Sequence, residues 1–372
     1  MNQCFRQKTA VLNLLLIATR KTSTRLLIPG HSACKSRLYS STSSRHFQTM
    51  DGISFVGTSA RGITKEVEIP VPWGIIAGKT YGDPTKFPVL CTHGWLDNCN
   101  TFDALIPHLP QDNFFVMIDF PGHGSSSPLH KGMTYTMYLY ISVLQRVVKY
   151  YNWEKFSILG HSLGGNVGAL FSGTYPETVD KLILIDVLGL YPVPAEKGPK
   201  QLRESIRGYL ELEENPSKFD ACYDYETAKQ RLLKANKSLT ENSADILLER
   251  GTKKLENGSF SFTRDPRHRL KYPVSMSPEV GLTFIRKVEA DTLHIIAQSG
   301  MLRHKVSGAG TKLIEDIINS FSNVQSKELV EVEGKHHVHL CNPEAVADNI
   351  INFLSKPHRS NLGQKKTDSS NM

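Results

Sequence analysis

The first 50 of the 372 residues contain no aspartate and no glutamate. Eight lysines and arginines stand there instead (Arg6, Lys8, Arg20, Lys21, Arg25, Lys35, Arg37 and Arg45), among many serines and threonines. A basic, acid-free and serine-rich N-terminus has the composition of a mitochondrial transit peptide. Arg37-Leu38-Tyr39-Ser40 resembles the cleavage sites of such peptides. The apolar stretch Val11 to Ala18 falls short of the about 20 residues that span a bilayer. As the core of a secretory signal it would need a small-x-small cleavage site soon after it, and none follows closely. A plain basic tail is the remaining alternative. Met50 closes the segment, so initiation there would give a cytosolic form.

Beyond residue 50 there is no excess of either charge. The whole chain has 44 basic and 36 acidic residues, net +8, and removing the eight N-terminal basic residues leaves 36 against 36. A neutral body excludes a broad nucleic-acid-binding surface. Cysteine is also scarce. The six (Cys4, Cys34, Cys91, Cys99, Cys222 and Cys341) are scattered, and no C-x-x-C pair occurs. That pattern argues against a disulfide framework or a structural zinc site and suits a reducing compartment. Cys91 reads as a small core residue in an apolar strand. Residues 356–372 are polar and charged, read as a disordered tail, and do not end in a peroxisomal Ser-Lys-Leu.

Between the two tails, strands and helices alternate. Glu66 to Val71 and Gly74 to Tyr81 read as opening strands. Phe87 to Thr92, Phe114 to Asp119, Phe156 to Leu159 and Lys181 to Asp186 follow as buried strands. A helix is expected over Thr101 to Leu109. Another is expected over Thr134 to Tyr151, with Tyr138, Ile141, Leu144, Val147 and Val148 on one side. Such alternation predicts an α/β fold with a mostly parallel, doubly wound sheet. It stops for about a hundred residues, 188–287, which are charged and helical around Lys200 to Leu212 and Glu226 to Lys254. A loop of that length is rare inside a compact domain, so a helical lid inserted after the strand ending at Asp186 is the expectation. The core then runs in two parts, 51–187 and 288–355. The second holds strands at Thr292 to Ala297 and Lys327 to Glu333, and helices at Gly310 to Phe321 and Pro343 to Leu354.

Residues 156–168 read FSILGHSLGGNVG. An apolar run meets Gly160-His161-Ser162-Leu163-Gly164 and then a segment with a small-residue face, the strand, turn and helix of a nucleophile elbow. Five residues alone would suit an ordinary Gly/Ser loop, and it is the flanking strand and helix that favour the elbow. A side chain two residues either side of the serine would clash in so tight a turn. The Leu163 N–H, free at the helix start, is placed to bind a developing oxyanion. A serine hydroxyl needs a base, and the base should follow the last strand. Gly334-Lys335-His336-His337-Val338-His339 stands there. Three histidines invite a metal reading, but no neighbouring carboxylate or cysteine completes a ligand set, and H-x-x-H would need helix geometry.

The chain is similar to α/β-hydrolases and, among them, to the serine hydrolase-like (kraken-type) family. The resemblance rests on HGWLDNCNTFDALIPHLP (93–110), DFPGHGSSS (119–127), GHSLGG (160–165), RGTKKLENGSFSFTRDPRHRL (250–270) and VEGKHHVHLCNPE (331–343), and covers residues 64–355. The superfamily pattern implies that His336 is the base, with structural roles for His337 and His339. It implies an oxyanion hole made by the backbone N–H groups of Trp95 and Leu163. Asp119 and His123 read as loop-fixing.

A carboxylate is missing where this superfamily usually has one. After the strand ending at Ala297 the sequence runs Gln298-Ser299-Gly300, and glycine stands at the usual acid position. Some relatives carry the acid after the strand that follows the elbow helix. Asp186 stands there and keeps the order Ser162, Asp186, His336. A lid carboxylate, or a Ser–His dyad helped by Ser299 or Gln298, are the alternatives. The expected activity is hydrolysis of a small carboxylic ester, or of a thioester or amide, through a Ser162 acyl-enzyme without cofactor or metal. A catalytically weak relative acting as a binding or scaffold protein is a second reading, and a C–C bond hydrolase with the same triad is a third. Serine at the elbow excludes the aspartate-nucleophile chemistries of epoxide hydrolases and dehalogenases.

Overall fold

Strands apolar on both faces need cover on both faces, and this chain supplies it by alternating strands with helices. The structure is a computed structural model that describes residues 64–190, 195–216, 221–270, 276–304 and 309–358, all within one compact unit, Thr58–Met372. The expected presequence and nearly all of the polar tail lie outside the described residues.

An antiparallel pair, β1 (Lys65–Val71) and β2 (Gly74–Tyr81), opens the fold. β3 (Phe87–Thr92) and β4 (Asn113–Ile118) follow. The helix expected over Thr101 to Leu109 is instead two short 3-10 turns, Cys99–Phe102 and Ile106–His108. Pro107 cannot donate to an α-helical ladder, and the Asn98 side chain already accepts the Asn100 N–H and starts a tighter turn.

The Thr136 hydroxyl accepts the Leu139 N–H and caps α1 (Met137–Tyr151), which Asn152 ends in the left-handed conformation. Its buried face is Tyr140, Val143, Leu144, Val147 and Val148. Tyr138, expected inward, is 80% exposed. Two residues turn a helix by about 200°, so a face centred on Tyr140 and Leu144 leaves Tyr138 in solvent.

β5 (Phe156–His161), α2 (Leu163–Thr174) and β6 (Val179–Ile185) come next, and both strands are buried throughout. The chain then leaves the sheet for an insertion comprising α3 (Gly198–Glu214), β7 (Cys222–Tyr223), α4 (Tyr225–Ala235), α5 (Glu241–Gly251), β8 (Thr252–Lys254), β9 (Phe260–Phe262) and α6 (Pro278–Ile285). The helical stretch read over Glu226 to Lys254 is thus two helices and a strand. Thr240 and Ser243 form a capping box that starts α5 anew. β7, β9 and β8 make a small antiparallel sheet whose strands are too short to leave a sequence pattern.

The main sheet resumes with β10 (Asp291–Ser299), then α7 (Met301–His304), α8 (Ala309–Ser320), β11 (Lys327–Lys335), α9 (Val338–Cys341) and α10 (Glu344–Leu354). Its order is β1-β2-β4-β3-β5-β6-β10-β11, with every pair from β4 to β11 parallel. Alternate residues of β4 feed the two apolar layers. Phe114, Val116 and Ile118 join α1 and α2 on one face, and Phe115 and Met117 join Phe102, Leu105 and α10 on the other. No helix among the described residues is long and apolar enough to cross a membrane. Parallel strands share one carboxyl edge, and β3, β5, β6 and β11 end there immediately before His93, Ser162, Asp186 and His336. Ligands of open α/β sheets bind at that edge.

Candidate active site

Ser162 joins β5 to α2 with φ 51° and ψ −114°, a conformation that costs an L-residue about 1–3 kcal/mol. Glycine is needed on both sides. A Cβ on Gly160 would lie 2.5 Å from the Gly165 Cα, and one on Gly164 would lie 2.1 Å from the Thr92 carbonyl oxygen. The Gly164 N–H donates to the His93 oxygen at 3.0 Å, tying the elbow to the loop that carries Trp95. Among the described residues, the Leu163 and Trp95 N–H groups have no hydrogen-bond acceptor. The Trp95 indole N–H donates to the His268 carbonyl at 2.9 Å, so the insertion grips this loop.

Asp186 begins where β6 ends and is one of four non-glycine residues with positive φ among the described residues, at 48°. Its N–H donates to the Ile295 oxygen at 2.7 Å. Its carboxylate accepts the Ala297 N–H at 3.2 Å, near the end of β10, and the Met301 N–H at 2.9 Å, at the start of α7. The same carboxylate is 2.5 Å from Nδ1 of His336. Asp186, rather than a residue at the end of β10, is the carboxylate that meets His336. Gln298 and Ser299 are exposed, and a Cβ on Gly300 would lie 2.3 and 2.4 Å from the two Asp186 oxygens. The end of β10 and the start of α7 supply the hydrogen-bond donors, while the residue after β6 supplies the carboxylate.

The covalent neighbours of these residues hold the group together. The Ser162 N–H donates to the oxygen of Ile185, the residue before Asp186, at 3.2 Å. Nε2–H of His161, the residue before Ser162, donates to the carbonyl of His336 at 2.9 Å.

Supporting residues take the loop-fixing roles expected of them. Fully buried Asp119 accepts the Cys99 N–H at 2.8 Å, the Ser125 N–H at 2.8 Å and Nε–H of Arg250 at 2.6 Å. His123 bonds the Pro121 carbonyl at 3.3 Å, and burial holds its imidazole well below the usual range. In the stretch Arg264-Asp265-Pro266-Arg267, Arg267 pairs with Asp265 at 2.5 Å and donates to the carbonyls of Leu129, His130 and Met133. The insertion is therefore pinned to the segment before α1. His339 is buried, with Nε2 2.9 Å from the Thr101 hydroxyl. His337 is buried too, but its partner is Asp97, 240 residues away in sequence, a contact that no local pattern announces. A cavity of about 490 Å³ lined by Met137, Tyr138, Ile141, Tyr175 and Phe284, among others, is separate from this site, since Ser162, Asp186 and His336 do not line it.

The family model for the α/β hydrolase fold matches residues 88–343. The chain belongs to that family. Within the α/β hydrolases its similarity is to the serine hydrolase-like proteins. One from Danio rerio is 40% identical over 83% of this chain and 92% of its own length. Serine hydrolase-like protein 2 of Homo sapiens is 38% identical, covering 81% of this chain and 97% of its own. Among solved structures, a hypothetical protein of Pseudomonas aeruginosa PAO1 superposes with a TM-score of 0.70 at 31% identity, over 78% of this chain and 99% of the other.

Proposed function

We propose that the chain is a serine hydrolase of small carboxylic esters, with thioesters and amides as secondary candidates. The observation that carries this reading is the 2.5 Å contact between His336 Nδ1 and Asp186, on a histidine tied by its backbone to the residue beside Ser162. With Nδ1–H held by the carboxylate, Nε2 keeps the lone pair and takes the Ser162 proton as the hydroxyl attacks the acyl carbon. The N–H groups of Leu163 and Trp95 receive the oxyanion, each worth about 3–4 kcal/mol at the transition state. Collapse breaks the acyl–oxygen bond, and His336 returns the proton to the leaving alcohol. A water, deprotonated by His336, then releases the acid from Ser162. Nothing in these steps calls for a cofactor. The insertion acts as a lid whose side chains select the substrate.

A fluorophosphonate probe tests the reading. Labelling of the wild type that is lost in Ser162→Ala supports it, and a folded wild type that stays unlabelled sinks it. The scaffold reading drew its force from a missing acid, and the contact of Asp186 with His336 weighs against it. C–C bond hydrolysis with the same residues separates from ester hydrolysis by substrate profiling. p-Nitrophenyl esters of increasing acyl length would define the pocket. The basic, acid-free N-terminus supports mitochondrial import, which a fluorescent fusion of residues 1–50 would test.

A further inference from the structure

Beside Ser162, Asp186 and His336 lies a second group of side chains that the proposed hydrolysis does not use. Asp97, His161 and His337 are buried, and one atom of each lies within 4.8 Å of the others. Asp97 Oδ2 is 3.0 Å from His337 Nε2 and 3.6 Å from His161 Nδ1.

The surrounding hydrogen bonds say which of these atoms bear protons. His161 Nε2 lies 2.9 Å from the His336 carbonyl, which only accepts, so the hydrogen is on Nε2 and Nδ1 has a lone pair. That Nδ1 is buried without a hydrogen-bond partner. For His337, Nδ1 lies 2.6 Å from the Ser238 hydroxyl. The single hydroxyl hydrogen of Ser238 goes to Asn236 Oδ1 at 2.6 Å, an oxygen that also accepts the Ser238 N–H at 3.2 Å. Ser238 therefore accepts from His337 Nδ1–H, which leaves the lone pair on Nε2. The Asn236 amide nitrogen, 3.5 Å from that Nε2, points the same way. With both imidazoles neutral, this assignment of hydrogens turns three electron-pair donors toward one space, and a cation there would relieve their repulsion. A single proton on the 3.0 Å contact would leave His161 Nδ1 unserved.

We propose that Asp97, His161 and His337 bind one divalent transition-metal ion of the zinc class. Two imidazoles and a carboxylate suit that class. With metal–ligand bonds of about 2.0–2.1 Å, tetrahedral ligands lie about 3.4 Å apart, between the two separations from Asp97, while the two imidazole nitrogens, which lie within 4.8 Å of each other, would draw together on the ion. Gly94 keeps the space clear, since a Cβ there would lie 2.7 Å from both Asp97 Oδ2 and His161 Nδ1. Both imidazoles already donate their other N–H, to the His336 carbonyl and the Ser238 hydroxyl, as metal-bound histidines do. The three ligands stand two residues after Trp95, one before Ser162 and one after His336, so a bound ion would lock together the three loops of the site. Metal binding itself does not depend on the hydrolase reading.

The test uses the full chain stripped with EDTA. Calorimetric titration with Zn²⁺ should show one ion per chain, and saturation at about a hundredfold over Kd should raise Tm by roughly 5 °C. Substituting Co²⁺ should give the visible absorption of a low-coordinate site. Asp97→Asn and His337→Gln should each remove stoichiometric binding. Should these variants fail to fold, Ser238→Ala replaces no ligand, removes only the hydroxyl that orients His337, and should weaken binding about 10- to 100-fold. A folded wild type that takes up no stoichiometric Zn²⁺ or Co²⁺ overturns the proposal. So does binding left undiminished in all variants that fold.

Discussion

The carboxylate of Asp186 fills the space that a side chain on Gly300 would need. A Cβ there would stand 2.3 Å from one Asp186 oxygen and 2.4 Å from the other, closer than any packed contact allows. The glycine at the usual acid position is thus the counterpart of the proposed acid, which sits one strand over, just after β6. Gly300→Asp should therefore lower turnover of p-nitrophenyl esters by tenfold or more and destabilise the fold by about 1–3 kcal/mol. The double variant Asp186→Gly with Gly300→Asp should regain part of that activity. Full activity in Gly300→Asp alone would contradict the shared-space account.

Asp186→Asn tests the acid directly. The asparagine still reaches His336 but favours the wrong imidazole tautomer, and kcat should fall about 10³- to 10⁴-fold. Its amide group must also face one of the two backbone N–H donors at Ala297 and Met301, which should cost about 1–3 kcal/mol of stability. Circular dichroism at the assay temperature separates the two effects. Near-wild-type turnover would move the acid's role elsewhere.

Stability should fall on mild acidification. Burial pushes the imidazoles of His161, His268 and His294 down to about 4, against about 6.5 in the unfolded chain. Between those values the unfolded state takes up protons that the folded state refuses, so stability is full above about pH 6.5 and declines as pH drops toward 4. His294 offers the clean case, because neither of its ring nitrogens has a hydrogen-bond partner among the described residues. His294→Leu should recover about 2 kcal/mol at pH 5 relative to wild type. Urea melts at pH 7, 6 and 5 would read this as a shallower slope, and an unchanged slope would refute it.

Arg250 joins the insertion to the core through its 2.6 Å bond to Asp119, a carboxylate with no exposed surface. Arg250→Met would leave that charge buried and unpaired, costing about 3–5 kcal/mol. Glu66, the second partner, is half exposed and should matter little, so Glu66→Gln should change stability by under about 1 kcal/mol. Equal effects of the two substitutions would show that the insertion is anchored elsewhere.

The sheet was legible in the sequence because its strands are continuous apolar runs, and parallel strands covered on both faces cannot be otherwise. Ser162 and His336 were legible because tight-turn glycines and the residue after the last strand are local signals. Asp186 was one candidate among several by chain order, and its contact with His336 depends on the fold. Less could be read where geometry depends on distant partners. The buried face of α1 follows what packs on Tyr140 rather than the broadest apolar stripe. Pro107 broke an expected helix into turns, and β7, β8 and β9 are too brief to show a period of two. Asp97 was passed over altogether, since the histidines it faces lie 64 and 240 residues further along the chain.

Ser162 and Asp186 share one more property. Both hold backbone angles that suit glycine, at φ 51° and 48°, and they lie side by side across β5 and β6. Glycine at Ser162 would relax the chain while deleting a side chain on which the proposed chemistry depends, whereas glycine at Asp186 would also strip the Ala297 and Met301 N–H groups of their acceptor. A laboratory selection that rewarded heat resistance alone would therefore be drawn toward Ser162 and would disarm the protein as it hardened it.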